Sequence, residues 1–263
     1  MIPMPQNMAL GANDMNKQFH IAVLPGQAGE YAILPGDPGR VEEIARRLNN
    51  PVFVAEKREY KTFVGGLAGK RVCVTSTGIG GASAAIAIEE LIKCGVHTFI
   101  RVGTCGGMQP NVLPGDLIIA AAAIRAEGTS DEYLPKGYPA CADIKVVGAL
   151  QRSALASGLR SHTGVVHSKD SFYGQTEPDS MPLAEHLKDN WRAYIRSGCL
   201  ASEMETAALY SVGLVRRVRV GCVLTVIWNP ELHKAGVSQT QYHDNERAIT
   251  CAIGAIESLV KEG

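Results

Sequence analysis

Short apolar runs of β character alternate along the chain with stretches of helical periodicity, and this alternation restricts the fold more than any other feature. Tyr31–Pro35 is followed by a helical pattern over Val41–Leu48, and Val72–Ser76 by one over Ala84–Lys93. Strand-then-helix order of this kind builds three-layer α/β structures. Further strands are expected at Thr98–Gly103, Asp116–Ala123, His162–Ser168 and Val218–Ile227. Several are apolar enough to be buried on both faces, which implies a mixed central sheet. Two helices close the pattern, one from Glu203 to about Val215 and one from about Tyr242 to Val260. The second sets Ala248, Ile249, Ala252, Ile253, Ile256 and Val260 at helical spacing. Polar stretches near 126–140, 170–182 and 229–241 read as long loops, which in a compact domain often serve function.

A chain of 263 residues suits one large domain, expected over 19–263 behind an N-terminal tail at 1–18. Charged residues make up 20% of it and the formal net charge is zero, which excludes a nucleic-acid footprint or an acidic tail. No run of apolar residues is long enough to span a membrane. The first 18 residues lack a basic start followed by an apolar stretch, so no signal peptide is expected. Seven cysteines lie singly, with no C-x-x-C pair, as reduced thiols do in a cytoplasmic protein without a disulfide or zinc framework. The partners implied are small molecules and further copies of the chain.

Four segments carry residues with chemical potential. Gly36-Asp37-Pro38-Gly39-Arg40 stands where a strand gives way to a helix, with Asp37 suited to the N-cap and Pro38 to the first turn. An anion fits the open backbone at Gly36 with Arg40 one turn in, although simple capping is favoured for an isolated Gly-Asp-Pro. Arg101 lies inside an apolar run that leads into a Gly-rich turn, Gly103-Thr104-Cys105-Gly106-Gly107. A guanidinium buried there needs a partner, and a phosphate and a glutamate stand about even. Ser76-Thr77-Gly78-Ile79-Gly80-Gly81-Ala82-Ser83 follows a strand and opens a helix, but Ser83 replaces the third glycine of a dinucleotide loop, which leaves an NAD-dependent enzyme as the weaker alternative. Ser202-Glu203-Met204-Glu205 fits a capping box through Ser202 and Glu205; the other reading is a carboxylate on paired sugar hydroxyls. Glu203 and Glu205 are two apart, so on a regular helix they point in different directions.

Taken in order, these segments resemble the nucleoside phosphorylase family, which includes uridine phosphorylase, hexameric purine nucleoside phosphorylase and related nucleosidases. The most specific element is Ser76–Ile86 followed by Glu90-Leu91. The resemblance runs from about Phe19 to the C-terminus and implies a three-layer α/β/α fold with a mixed, partly barrel-like central sheet. It makes Gly36, Arg40, Arg101 and Thr104 phosphate ligands, joined by Arg58 from across a dimer interface. It sets Met204, Glu205 and nearby Glu203 against the ribose, with His20 lent to the neighbour's sugar. Arg101, Glu205 and Gln175 are the expected catalytic set. Glu59, Ile79 and Ser83 resemble positions that hold a monovalent cation, potassium, between subunits of some relatives. Inorganic phosphate is the implied co-substrate, no catalytic metal or organic cofactor is expected, and the implied assembly is a homo-oligomer with the dimer as minimum active unit and a hexamer as the usual form. His97, His162, His233 and His243 match nothing in the family and are expected at the surface.

The segment Phe172-Tyr173-Gly174-Gln175 is similar to the uridine phosphorylase loop, in which Phe172 stacks on the base and Gln175 bonds the uracil edge. Glu177 and Pro230 stand where many such enzymes carry arginines. A second branch of the family uses a lysine early in the loop, matched by Lys169, and a histidine where this chain has Thr176. Lys169, Gln175 and Thr176 are therefore the expected partners of the uracil carbonyls. The alternative for Lys169 is a salt bridge to Asp170 or Glu177 on a solvated loop. Purine-directed relatives carry an aspartate that protonates the leaving base; here the corresponding position resembles Asn229, whose amide cannot supply that proton. Phosphorolysis of uridine is the favoured expectation. A purine phosphorylase or hydrolase of the same fold and a non-catalytic nucleoside-binding protein remain as alternatives.

Overall fold

The computed structural model describes residues 16–263. Residues 1–15, most of the expected tail, lie outside the described residues. The chain begins with β1 (Tyr31–Pro35), α1 (Gly39–Ala45), β2 (Asn49–Lys57), β3 (Tyr60–Leu67), β4 (Lys70–Thr75) and α2 (Gly81–Lys93). Next come β5 (Thr98–Gly107), β6 (Leu117–Ala126), α3 (Thr129–Tyr133), β7 (Ala140–Cys141), α4 (Ile144–Ala156) and β8 (Ser161–Lys169). The last third holds α5 (Phe172–Thr176), α6 (Ala184–Arg196), β9 (Ala201–Glu203), α7 (Thr206–Arg216), β10 (Arg219–Trp228), α8 (Pro230–Lys234) and α9 (Glu246–Glu262).

One sheet runs in the order β10-β6-β8-β9-β5-β1-β4-β3-β2, with β7 on the side of β6. Because β10 also pairs with β5, the five strands β10, β6, β8, β9 and β5 close into a barrel, and β1, β4, β3 and β2 continue from it as an open sheet. Pairing is mixed: β5 is parallel to β1 and β10 and antiparallel to β9. The expected α/β class, the mixed sheet and its partial barrel character are all present.

The period of two in a strand accounts for the layers. In β1, Ala32 and Leu34 pack into one apolar cluster with Ile88 and Leu91 of α2 and Leu209 and Val212 of α7. Tyr31 and Ile33 point the other way, into a cluster with Ile44 of α1, Leu150 of α4 and Ile256 of α9. A strand buried on both faces reads as a continuous apolar run, as all five residues of β1 do. Each fully buried aliphatic side chain contributes about 1.5–3 kcal/mol.

Several expected boundaries move. β5 does not turn at Gly103 but stays extended to Gly107, pairing Gly106 with Ser202 and Gly107 with Ala201. The glycines there make room: a Cβ on Gly103 would sit 2.9 Å from Arg101 Nη2 and 2.9 Å from Leu224 Cδ2. The helix expected from Glu203 starts at Thr206, because Ala201–Glu203 is recruited as the strand that closes the barrel. α1 stops at Ala45, short of Leu48. The three stretches read as loops each contain a short helix, α3, α5 and α8. The hairpin of β2 and β3 and the helices α4 and α6 lie outside the alternation; α6 sets Leu187, Trp191, Tyr194 and Ile195 at helical spacing but leaves them only half-buried.

Candidate active site

The strands of the barrel bring the site together. β5 supplies Arg101, β8 ends on His167, Ser168 and Lys169, and β9 carries Ser202 and Glu203 directly into Glu205, the N-cap residue of α7. Arg101 is 4% exposed. Its Nη2 bonds Glu205 Oε2, and its Nε lies 3.3 Å from Glu203 Oε2. Nη1 and Nε are both buried with no hydrogen-bond partner among the described residues, Nε facing Glu203 only as an ion pair. A glutamate partner and an unsatisfied donor thus coexist on one guanidinium. Burial acts to lower the Arg101 pKa, but the carboxylates of Glu205 and then Glu203 outweigh it and hold the guanidinium charged. For Glu205 burial is the larger influence and raises its pKa, opposed by Arg101.

The two glutamates do separate jobs, although both reach Arg101, a convergence that helical spacing did not predict. Glu203 accepts from the backbone N–H of Glu205 at 2.8 Å and of Thr206 at 3.0 Å, and from the Ser168 hydroxyl. It therefore caps α7 in place of the expected Ser202–Glu205 box, and no side-chain bond from Glu205 caps the helix. Glu205 instead accepts from the N–H of Gly80 at 2.6 Å, tying the Ser76–Ser83 segment to the site. Within that segment Gly78 has φ +68°, and a Cβ would lie 2.7 Å from Glu59 Cγ, so a glycine is required twice over. Met204, half-buried, lies between the two glutamates.

Gly36 faces the same guanidinium: its missing Cβ would fall 3.3 Å from Gly78 O and 4.0 Å from Arg101 Nη1. Asp37 accepts from Gly39 N at 2.8 Å and so supplies the expected capping bond, although the helix begins one residue later, with Pro38 at the N-cap position. Arg40 is half-buried against Asn245; with that amide's oxygen turned toward it, Nε and Nη2 donate at 3.1 Å. Thr104 is half-buried on β5, level with Thr225 of β10.

At the other end, Lys169 is 8% exposed and donates to Ser202 Oγ at 3.1 Å, while Ser202 donates to Gln175 Oε1 at 2.6 Å. The salt bridge weighed for Lys169 is not formed, since Asp170 accepts from Gly128 N instead. Burial lowers the Lys169 pKa, against the pull of Glu203 and Glu205. Phe172 is 54% exposed, with Lys169 Nζ 5.9 Å from its ring centre. Thr176 is exposed and its hydroxyl donates to Phe172 O at 3.1 Å. Trp228 packs on His233 with the rings tilted at 48° and 5.4 Å between ring centres. Asn229 is fully buried, and its amide donates to Gln109 O and Val112 O while its oxygen caps α8.

Arg58 and His20 stand apart from this cluster. Arg58 is exposed in the β2–β3 turn, and His20 bonds Glu90 through its backbone N–H and through Nδ1 at 2.7 Å. Glu59 and Ser83 are paired at 2.7 Å, whereas Ile79 is 79% exposed. No cluster of three or more His, Cys, Asp or Glu residues able to hold a metal occurs among the described residues. Of the four histidines expected at the surface, His162 departs: it is half-buried and pairs with Asp116 at 2.9 Å.

His167 was not singled out in the sequence, where the only signal is a histidine inside the apolar run Gly164-Val165-Val166. It is 7% exposed, packs on Tyr194 at 4.8 Å between ring centres, and lies 3.2 Å from Ser202 Oγ through Nδ1. Burial, followed by the charge of Lys169, lowers its pKa from 6.5 to about 4. As pH falls the unfolded chain takes up this proton first. Stability contributed by the neutral ring is therefore present above pH 6.5 and is lost toward pH 4, by about 3 kcal/mol. His167→Gln is expected to flatten that part of the stability profile, as read by urea unfolding at pH 7.5 and 4.5. A slope equal to that of the unsubstituted protein would contradict it.

A barrel that joins a half-satisfied buried arginine to a helix-capping Glu203, a neighbouring Glu205 and a Gly-rich strand-to-helix turn agrees with the sequence family. The model of the phosphorylase superfamily matches residues 30–260, and the chain belongs to this superfamily. Among its relatives, the uridine phosphorylase of Treponema pallidum (strain Nichols) is 49% identical over 245 residues, covering 93% of this chain and 95% of that one. The uridine phosphorylase of Thermococcus kodakarensis is 45% identical over 83% of this chain and 81% of its own. A guanosine phosphorylase of Halorubrum lacusprofundi is 39% identical over 93% of this chain and all of its own length. No helix among the described residues is long and apolar enough to cross a membrane.

Proposed function

We propose that this chain catalyses the phosphorolysis of uridine to uracil and ribose 1-phosphate. The observation that carries it is the buried Arg101 Nη1, left without a partner beside Gly36 while the same guanidinium holds Glu205. Phosphate supplies the acceptor that this donor lacks, with Arg40 and Thr104 as further ligands. Glu205 takes the 2′ and 3′ hydroxyls of ribose, with Met204 against the sugar. As the C1′–N1 bond breaks, its electron pair leaves with the base and C1′ becomes oxocarbenium-like. A phosphate oxygen forms the new bond to C1′, and Lys169 and Gln175 donate to the uracil carbonyls on which the charge spreads. The departing anion then takes a proton from solvent. Phosphate and side chains carry every step, so the proposal includes no organic cofactor.

Support for uracil comes from Phe172, Gln175 and Lys169 in one loop and from the similarity to uridine phosphorylases. Arg58, exposed in the β2–β3 turn, and His20, bonded to Glu90, share no hydrogen bond with Arg101 among the described residues and support a site completed by a second copy, with the dimer as the smallest active form. The test is a phosphate-dependent assay across uridine, thymidine, inosine, guanosine and adenosine, run over a range of protein concentrations. Uridine is expected to turn over fastest, with loss of activity on dilution. Faster purine turnover would favour a purine enzyme, as the guanosine phosphorylase relative illustrates. Binding without ribose 1-phosphate release would leave a non-catalytic binder.

A further inference from the structure

We infer that Ser202 is a positioning residue that decides which face of the Gln175 amide meets the base, an inference that rests on the uridine reading above. Ser202 is 3% exposed on β9, and three groups surround its hydroxyl: Lys169 Nζ at 3.1 Å, Gln175 Oε1 at 2.6 Å and His167 Nδ1 at 3.2 Å. A hydroxyl has one proton to give and two lone pairs to receive with. The ammonium of Lys169 only donates, so it occupies one lone pair. The carbonyl oxygen of Gln175 only accepts, so it takes the single proton. His167 Nδ1 must then donate into the second lone pair, which makes the buried neutral ring the Nδ1–H tautomer.

The 2.6 Å bond from the Ser202 hydroxyl to Gln175 Oε1 lies within the O–H···O range, and in this orientation the oxygen of Gln175, not its nitrogen, faces Ser202. With Oε1 held in this way, Nε2 is the end left for the ligand. It presents a donor to a base carbonyl, while the second lone pair of Oε1 remains for the N3–H of uracil. Cytosine offers the opposite pattern at this edge, an amine donor beside a bare N3, and meets a donor where it needs an acceptor. Turning the amide over would require the Ser202 proton to swing to His167 and the ring to change tautomer, so the three side chains switch only together. In the sequence Ser202 suggested nothing beyond a helix cap, a task performed by Glu203.

The experiment compares Ser202→Ala with the unsubstituted protein on uridine and cytidine, varying phosphate and nucleoside separately. Removing the hydroxyl is expected to raise the uridine KM about tenfold and to shrink the preference for uridine over cytidine by about the same factor, the size of one lost hydrogen bond. The KM for phosphate should not move. An unchanged uridine KM and preference, or an equal loss on uridine, cytidine and phosphate, overturns the positioning role. In the unsubstituted protein, 15N NMR of the His167 ring should show the Nδ1–H tautomer, and an Nε2–H ring overturns the inference independently of any variant. If the unsubstituted protein does not cleave uridine, the uridine reading falls and the specificity role with it, whereas uridine cleavage with an unaffected variant refutes Ser202 alone.

Discussion

Arg101→Lys is expected to lower kcat/KM for phosphorolysis by about 10² to 10³ fold while the protein stays folded. The guanidinium serves three directions at once: Nη2 toward Glu205, Nε toward Glu203, and Nη1 toward the backbone opening at Gly36. A lysine keeps the charge that balances the two carboxylates, yet its single ammonium cannot reach all three. Arg101→Ala is the more obvious knock-out but a poorer test. It leaves Glu203 and Glu205, both 5% exposed or less, without a counter-ion and is expected to cost about 3–5 kcal/mol of stability. Steady-state kinetics with phosphate varied, alongside thermal unfolding, separate the two effects. Full activity in the lysine variant would remove Arg101 from phosphate binding.

Asn229→Asp, the substitution that would imitate a purine-directed aspartate, is expected to destabilise the protein by about 3 kcal/mol or more and to bring no purine cleavage. Asn229 is wholly buried and donates to Gln109 O at 2.9 Å and Val112 O at 2.8 Å. A carboxylate there would face two carbonyl oxygens with nothing to give them. Its better capping of α8 offsets only about 1 kcal/mol of that cost. Urea unfolding and an inosine assay check both halves, and a variant of ordinary stability that cleaves inosine would refute the argument. The absence of the aspartate still weighs against purines, but Asn229 itself is a structural pin between α8 and the loop after β5.

Local pattern made much of the molecule legible. Buried strands such as β1 and β10 announce themselves as continuous β-branched and apolar runs, and α9 by its helical spacing, because period and burial are properties of neighbouring residues. The β2–β3 hairpin, whose first strand is largely exposed, leaves no comparable trace, and α6 sets Leu187, Trp191 and Tyr194 at helical spacing yet packs them only half-buried. The Gly-rich end of β5 misled for a related reason. Glycine marks a turn when the backbone bends, but here it clears space beside Arg101 and in front of Asn229, and only the packed neighbours distinguish the two uses.

The same division holds in the site. From the sequence alone come the membership of Arg101, Glu205, Lys169 and Gln175 in ordered motifs, and the argument that a guanidinium inside an apolar run must have a partner. Burial cost is set by residue type and local hydrophobicity, so it can be read along one dimension. Which partner each group has was decided by tertiary structure. Closure of the barrel through β9 turned Glu203 into a cap, set Glu205 on Arg101 and left Nη1 unpaired. It also gathered His167, Lys169, Gln175 and Ser202, from separate segments, around one hydroxyl. Hydrogen bonds are short and directional, and residues 27 to 35 positions apart meet only when the whole sheet has closed.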